Sequence, residues 1–209
     1  MKPLLQGLRG SALSATLTLF SVAAVALMLS RSRWLLLGLL PALLLACVAQ
    51  AWLARQRTGL PVAEPAQAAC HMLLAAQLPR VAEEMLERGW EVLPALHGDA
   101  PMSPAAFLGV HVALYAAGAL ACHGVFERRW RPALLPLLFL VLAGGWGSVL
   151  LHSAWACRVG GYVPGLLSAQ LQWLLAPWAL RQLCGSAAAA WRLAALCTVA
   201  YLPALLLMG

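Results

Sequence analysis

The chain has little charge, since Asp, Glu, Lys and Arg together make up only 10% of its 209 residues. Soluble domains carry about 25% charged and about 45–50% apolar residues, whereas hydrophobic residues form 63% of this sequence. This composition excludes an ordinary soluble domain and indicates a lipid bilayer as the partner. The apolar runs are long and do not alternate with polar residues, which excludes a transmembrane β-barrel.

Several other signatures are absent. No CxxC pair occurs among the six cysteines, so neither a zinc–thiolate site nor a disulfide framework is indicated, and we interpret the cysteines as small buried hydrophobes. The formal net charge of +7 does not indicate nucleic-acid binding, because the basic residues lie singly or in pairs at the ends of apolar runs. No repeat, low-complexity linker or soluble domain is found, so residues 1–209 form one membrane-embedded domain.

Hydropathy predicts an all-α fold, a polytopic transmembrane bundle of about seven helices. Two helices occupy residues 1–55, a core covers 66–183, and a last helix covers 186–208. The predicted helices span residues 13–30, 34–53, 66–88, 104–126, 132–156, 164–183 and 186–208.

The third predicted helix contains Pro79, which removes a backbone hydrogen bond and kinks the chain. This helix either crosses the membrane at a tilt or bends back as a re-entrant or interfacial helix. The distribution of basic residues favours a crossing, because it then places more of them on the amino-terminal side. We therefore expect a cytoplasmic amino terminus.

The strongest functional signal is the pair Glu83 and Glu84, one turn after Arg80, in this third helix. A charge at the bilayer centre costs about 2.5–3.5 kcal/mol on insertion scales, so charges found there usually face a polar cavity or a partner. With the amino terminus in the cytoplasm, these carboxylates lie at the same depth as His111 and His152, near the outer surface. We predict Glu83, Glu84 and Arg80 as catalytic residues, with Glu83 as the acid or base and Glu84 oriented by Arg80.

The same depth argument predicts a metal site made of Glu83, His111 and His152, because imidazole and carboxylate ligands suit zinc, iron or manganese. His97, in the connecting outer loop, could close over this site. Other interpretations stay open. Arg80 and Glu84 have the spacing of an intrahelical ion pair, and a lone histidine on an apolar helix is commonly a core residue.

Three short motifs carry a family resemblance: residues 80–84, His152 and residues 162–165, with the sequence Tyr-Val-Pro-Gly. Together they resemble the HXXEE-domain family of bacterial integral membrane proteins over roughly residues 68–183. The resemblance implies a helical protein of the bacterial inner membrane with functional residues in these motifs. Arg80 stands where the family has its leading histidine, and arginine has no lone pair to offer a metal.

Three classes of function follow from these observations. The first is an intramembrane enzyme acting on a lipophilic or membrane-delivered substrate, with or without a divalent metal; without one it would shuttle protons, as in isomerisation or cyclisation. The second is a proton-coupled transporter. The third is a non-catalytic assembly partner in a membrane complex. A haem-binding electron carrier is a further alternative, because His111 and His123 lie on one helix.

Overall fold

The computed structural model describes residues 32–56, 60–61 and 63–206, and every regular element in these ranges is helical. The predicted helical bundle is therefore confirmed, whereas the expected first helix at 13–30 lies outside the described residues. Four helices in the described part of the chain are long and apolar enough to cross a membrane, which indicates an integral membrane protein. They are Arg33–Arg55, Pro104–Phe126, Arg131–Val159 and Ala187–Leu206.

Ten α-helices are described, and one of the four long spans, Arg131–Val159, is a composite. It consists of a 3-10 turn (Arg131–Ala133), an α-helix (Leu134–Phe139), a π-helical segment (Leu140–Gly147) and a second α-helix (Ser148–Val159). In chain order the helices are α1 (Arg33–Gln56), α2 (Glu64–Ala75), α3 (Gln77–Leu86), α4 (Gly89–Ala95), α5 (Pro104–Phe126), α6 (Leu134–Phe139), α7 (Ser148–Val159), α8 (Leu166–Ala169), α9 (Gln172–Cys184) and α10 (Ala187–Leu206).

The composite span is the centre of the described bundle. In its most apolar stretch 78% of the residues are buried, against 28–39% in the other three spans. The π-helical segment packs against α1, α9 and α10. Glycines permit this close packing: a Cβ atom on Gly145 would lie 2.9 Å from the Cβ of Ala176 and from Leu73 Cδ1.

The third predicted helix is kinked, as expected. It divides into α2 and α3 at Ala76, three residues before Pro79. Pro79 has no N–H to donate to the carbonyl of Ala75, so an uninterrupted helix would lose a hydrogen bond there. Both pieces are shorter than the four long spans. The sixth predicted helix is likewise divided into α8 and α9.

The amino end of α1 is joined to the loop before α5. The Asp99 carboxylate accepts hydrogen bonds from the Ser32 hydroxyl (2.8 Å) and from the backbone N–H of Trp34 (2.9 Å), which satisfies a donor at the start of the helix. The Trp34 ring stacks on Phe107, with ring centroids 5.3 Å apart. These contacts hold the starts of α1 and α5 together.

We predict that Gly147→Ala destabilises the protein, because the new methyl group would overlap the ring of Tyr201. Tyr201 cannot easily move away, since it is fully buried and its hydroxyl donates to the carbonyl of Gly38 at 2.7 Å. Overpacking of this kind typically costs about 1–3 kcal/mol. Thermal unfolding of the purified protein in detergent measures the effect. In the control Gly109→Ala the added methyl has no neighbour within 4 Å, so an equal loss in both variants would contradict the packing argument.

Candidate functional site

Glu84 is the centre of a polar cluster inside the bundle. Its side chain is fully buried, and Arg80, one turn earlier on α3, donates a hydrogen bond from Nη1 to Glu84 Oε1. Gln77 holds the guanidinium in place, because its Oε1 accepts from Arg80 Nε at 3.1 Å. The Gln77 amide nitrogen in turn donates to the carbonyl of Gly144 at 3.0 Å. The ion pair is thereby tied to the π-helical segment.

Two imidazoles from different helices meet at the Glu84 carboxylate. His111 Nε2, on α5, lies 3.0 Å from Glu84 Oε2, and His152 Nε2, on α7, lies 3.1 Å from Glu84 Oε1. The other ring nitrogen of each histidine faces a backbone carbonyl one turn earlier. His111 Nδ1 is 2.9 Å from the oxygen of Phe107, and His152 Nδ1 is 2.8 Å from the oxygen of Ser148.

These contacts determine where the protons lie. A carbonyl oxygen only accepts hydrogen bonds, so we place a proton on Nδ1 of both histidines, and a neutral ring then has a lone pair at Nε2. Arg80 favours the ionised form of Glu84, which also only accepts. A contact between Nε2 and Glu84 is therefore favourable when that imidazole carries a second proton. Both Nε2 atoms therefore face the same carboxylate, which accepts a hydrogen bond from whichever of them carries a proton.

Glu83 makes different contacts from its neighbour, because successive residues of an α-helix point about 100° apart. Its carboxylate accepts hydrogen bonds from the Tyr162 hydroxyl (2.7 Å), the backbone N–H of Leu167 (3.0 Å), and the N–H (2.8 Å) and hydroxyl (2.5 Å) of Ser168. Burial and the neighbouring Glu83 carboxylate raise the pKa of Tyr162, so this phenol stays protonated and donates. Glu83 thus anchors the segment that follows α7.

The segment held by Glu83, from Tyr162 to Ser168, covers the Glu84–His152 contact. Gly165 has a φ angle of +84°, and a Cβ atom there would lie 2.8 Å from both His152 Nε2 and Glu84 Cγ. Only glycine combines this backbone conformation with so close an approach. The three motifs identified in the sequence therefore meet in one place.

A cavity of about 130 Å³ lies beside the cluster. Its walls are mainly apolar and include Leu39, Val110, Leu114 and Phe139. The network around Glu84 lines one part of it, with Gln77, Arg80, Glu84, His111 and His152. The Ser148 hydroxyl, the Tyr115 phenol and the indoles of Trp34 and Trp155 also lie in the lining. The cavity also borders the π-helical segment, and π-helical turns are frequent at functional sites.

The three residues predicted as metal ligands do not lie together in the structure. His111 and His152 meet at Glu84, whereas Glu83 bonds to Tyr162 and Ser168. Within residues 32–56, 60–61 and 63–206, no group of three His, Cys, Asp or Glu side chains is arranged to hold a metal ion.

The remaining histidines lie apart from the carboxylate. His97 is buried with its ring edge-on to Trp155, which is in turn edge-on to His152. Burial lowers the pKa of His97, although its hydrogen bond to the carbonyl of Leu93 and the charge of Asp99 oppose this shift. His71 and His123 are exposed, and His123 Nε2 accepts from Arg128 at 3.2 Å.

Sequence reasoning missed Gln77 and Ser148 as members of the cluster. Their spacing in the sequence could have identified them. Gln77 precedes Arg80 by three residues, and Ser148 precedes His152 by four. Residues at these separations share one face of a helix.

The chain was compared with protein-family models, with curated proteins and with solved structures, and it matches none of them.

We predict that Glu83→Ala destabilises the segment from Tyr162 to Ser168 without disturbing Glu84. The variant leaves four hydrogen-bond donors without their acceptor, and each donor that becomes buried and unpaired costs about 1–3 kcal/mol. Hydrogen exchange measured by mass spectrometry should show faster exchange at Leu167 and Ser168. Glu87→Ala, one turn later on an exposed side chain, is the control. Equal exchange in both variants would show that Glu83 is not an anchor.

We predict that Gly165→Ala disrupts the Glu84–His152 contact. The new side chain would overlap both residues and would also place alanine at a positive φ angle. Thermal unfolding should show a lower midpoint than that of the wild type. Gly161→Ala, where a Cβ atom meets nothing within 4 Å, is the matched control in the same loop. Full stability of Gly165→Ala would mean that the loop does not cover the site as described.

Proposed function

We propose that this protein is an intramembrane enzyme that isomerises or cyclises a lipophilic substrate by acid–base catalysis. One observation carries the proposal: a fully buried carboxylate contacts two imidazoles at the polar end of an apolar cavity. An ion pair that only stabilises the fold does not need a cavity beside it. A concave apolar site with a few convergent polar groups is typical of small-molecule binding.

The chemistry follows from the proton positions. One histidine, as imidazolium, donates its Nε2 proton to the substrate, and the other, as neutral imidazole, accepts a proton from a different atom of the substrate. The substrate gains one proton and loses one, so the product has the same mass as the substrate. The proton then returns from one ring to the other through the Glu84 carboxylate, which both Nε2 atoms contact, and this restores the starting state. Glu84 and Arg80 keep the two rings in place and stabilise whichever ring is charged.

The surroundings of Glu84 favour this proton chemistry over the predicted metal chemistry. Both imidazoles have the backbone contact at Nδ1 that metal-ligating histidines commonly have. However, Arg80 already bonds to Glu84 Oε1, and its positive charge repels a metal cation at the same carboxylate. We therefore propose that Arg80 supplies the positive charge of the site and that the two histidines act as acid and base.

We also propose that the site faces the outer half of the bacterial inner membrane, with the amino terminus in the cytoplasm. The support comes from the basic residues at the ends of the apolar runs. A substrate dissolved in the bilayer would then enter the cavity from the side and leave its apolar part among the helices.

We predict that Glu84→Gln abolishes the reaction, because a neutral amide cannot stabilise an imidazolium as a carboxylate does. Lipid extracts of membranes that contain the wild type should differ from extracts containing the variant in a pair of compounds with equal mass and different retention. Liquid chromatography with mass spectrometry detects such a pair. Activity should fall by at least about a hundredfold, the scale on which acid–base groups contribute.

The matched control is Glu91→Gln, which removes a carboxylate whose partner, Arg88, lies 2.6 Å away on the surface. This control should retain the wild-type lipid profile. Thermal unfolding must show that Glu84→Gln is folded at the assay temperature. If Glu84→Gln is folded and its lipid profile equals that of the wild type, the protein is not this enzyme.

A further inference from the structure

Ser148 has an unusual environment at the first position of α7. Ser148 is only 7% exposed and lines the cavity. Its hydroxyl has no hydrogen-bond partner within the described chain. A buried hydroxyl without a partner costs about 1–3 kcal/mol, so such groups call for an explanation, and a ligand in the cavity provides one.

We infer that Ser148 binds the polar end of the substrate, and that this substrate is a lipophile whose polar group is an uncharged oxygen, a ketone or an alcohol. This inference rests on the proposed function, since it names the class of molecule that the acid–base site acts on. Ser148 is one turn before His152 on the same helix, so an oxygen bound to its hydroxyl lies near the Nε2 atoms that move protons.

Within the described chain, the Ser148 hydroxyl does not bond back along its own helix. A serine in a helix commonly bonds back to the carbonyl four residues earlier, which here belongs to Gly144. That carbonyl already accepts a hydrogen bond from Gln77 at 3.0 Å, and it lies in the π-helical segment, whose bonding pattern differs from that of an α-helix. Because no described residue bonds to this hydroxyl, we assign its partner to the cavity that Ser148 lines.

The charges of the site exclude an anionic head group. Arg80 is the only lysine or arginine among the described residues that line the cavity, and its guanidinium already bonds to Glu84 and Gln77. A buried anion without a partner is strongly disfavoured. A ketone oxygen accepts from the Ser148 hydroxyl and an alcohol donates to it, and neither adds charge.

The cavity volume sets the size of the apolar part. A cavity of about 150 Å³ in another protein holds benzene, and the volume here is about 130 Å³. One six-membered ring, or a short branched chain of equal volume, therefore fits in this cavity, and a longer tail must extend beyond it.

Two probes of equal shape test the inference: cyclohexanone, and methylenecyclohexane, in which a CH₂ group replaces the oxygen. Ligand-observed NMR on the full-length protein in nanodiscs, with empty nanodiscs subtracted, gives the affinity of each. We expect the wild type to bind cyclohexanone about tenfold more tightly. Ser148→Ala should reduce this preference to about one and leave the affinity for methylenecyclohexane unchanged.

The variant should fold, because it removes an unpaired buried hydroxyl and adds no volume. Ser153→Ala, one turn later on α7 and outside the cavity lining, is the control and should keep the preference. The inference is wrong if Ser148→Ala keeps the tenfold preference, if the wild type shows none, or if cyclohexanecarboxylate binds more tightly than cyclohexanone. Binding needs no turnover, so these results are independent of the lipid-profile experiment on Glu84.

Discussion

The ion pair between Arg80 and Glu84 is the interaction on which the rest of the site depends. A carboxylate with no exposed surface is stable only when a partner replaces the water that it has lost. The guanidinium does so, and Gln77 fixes its orientation. The anionic Glu84 side chain then lies within 3.0–3.1 Å of both imidazole Nε2 atoms. The proton chemistry proposed for His111 and His152 therefore begins at Arg80.

Two irregular helices bring these groups together. The break at Ala76 allows α3 to leave the direction of α2, and the π-helical segment places the Gly144 carbonyl where Gln77 can reach it. Gly145 and Gly147 permit close packing of neighbouring helices against the buried central span.

Much of the fold and part of the site could be predicted from residues alone. Long apolar runs require helices, since only a helix satisfies its own backbone in lipid, and Pro79 predicted the kink. Counting turns from the helix ends placed Glu84, His111 and His152 at one depth, and the structure has them in contact. The same counting could not distinguish Glu83 from Glu84, because a helix position gives depth and not the direction of a neighbouring helix. The resemblance to the HXXEE-domain family stays a prediction.

The sequence by itself determined the helical membrane architecture, the kink and the residue types available for chemistry, because these depend on local backbone bonding and on hydropathy. Only the tertiary structure decided that Glu84 meets the two imidazoles and that Glu83 anchors the segment around Ser168. It also decided that the Ser148 hydroxyl has no partner in the described part of the chain. These assignments depend on how helices far apart in the chain are rotated against one another. That rotation is set by the packing of many side chains at once, which no short stretch of sequence specifies.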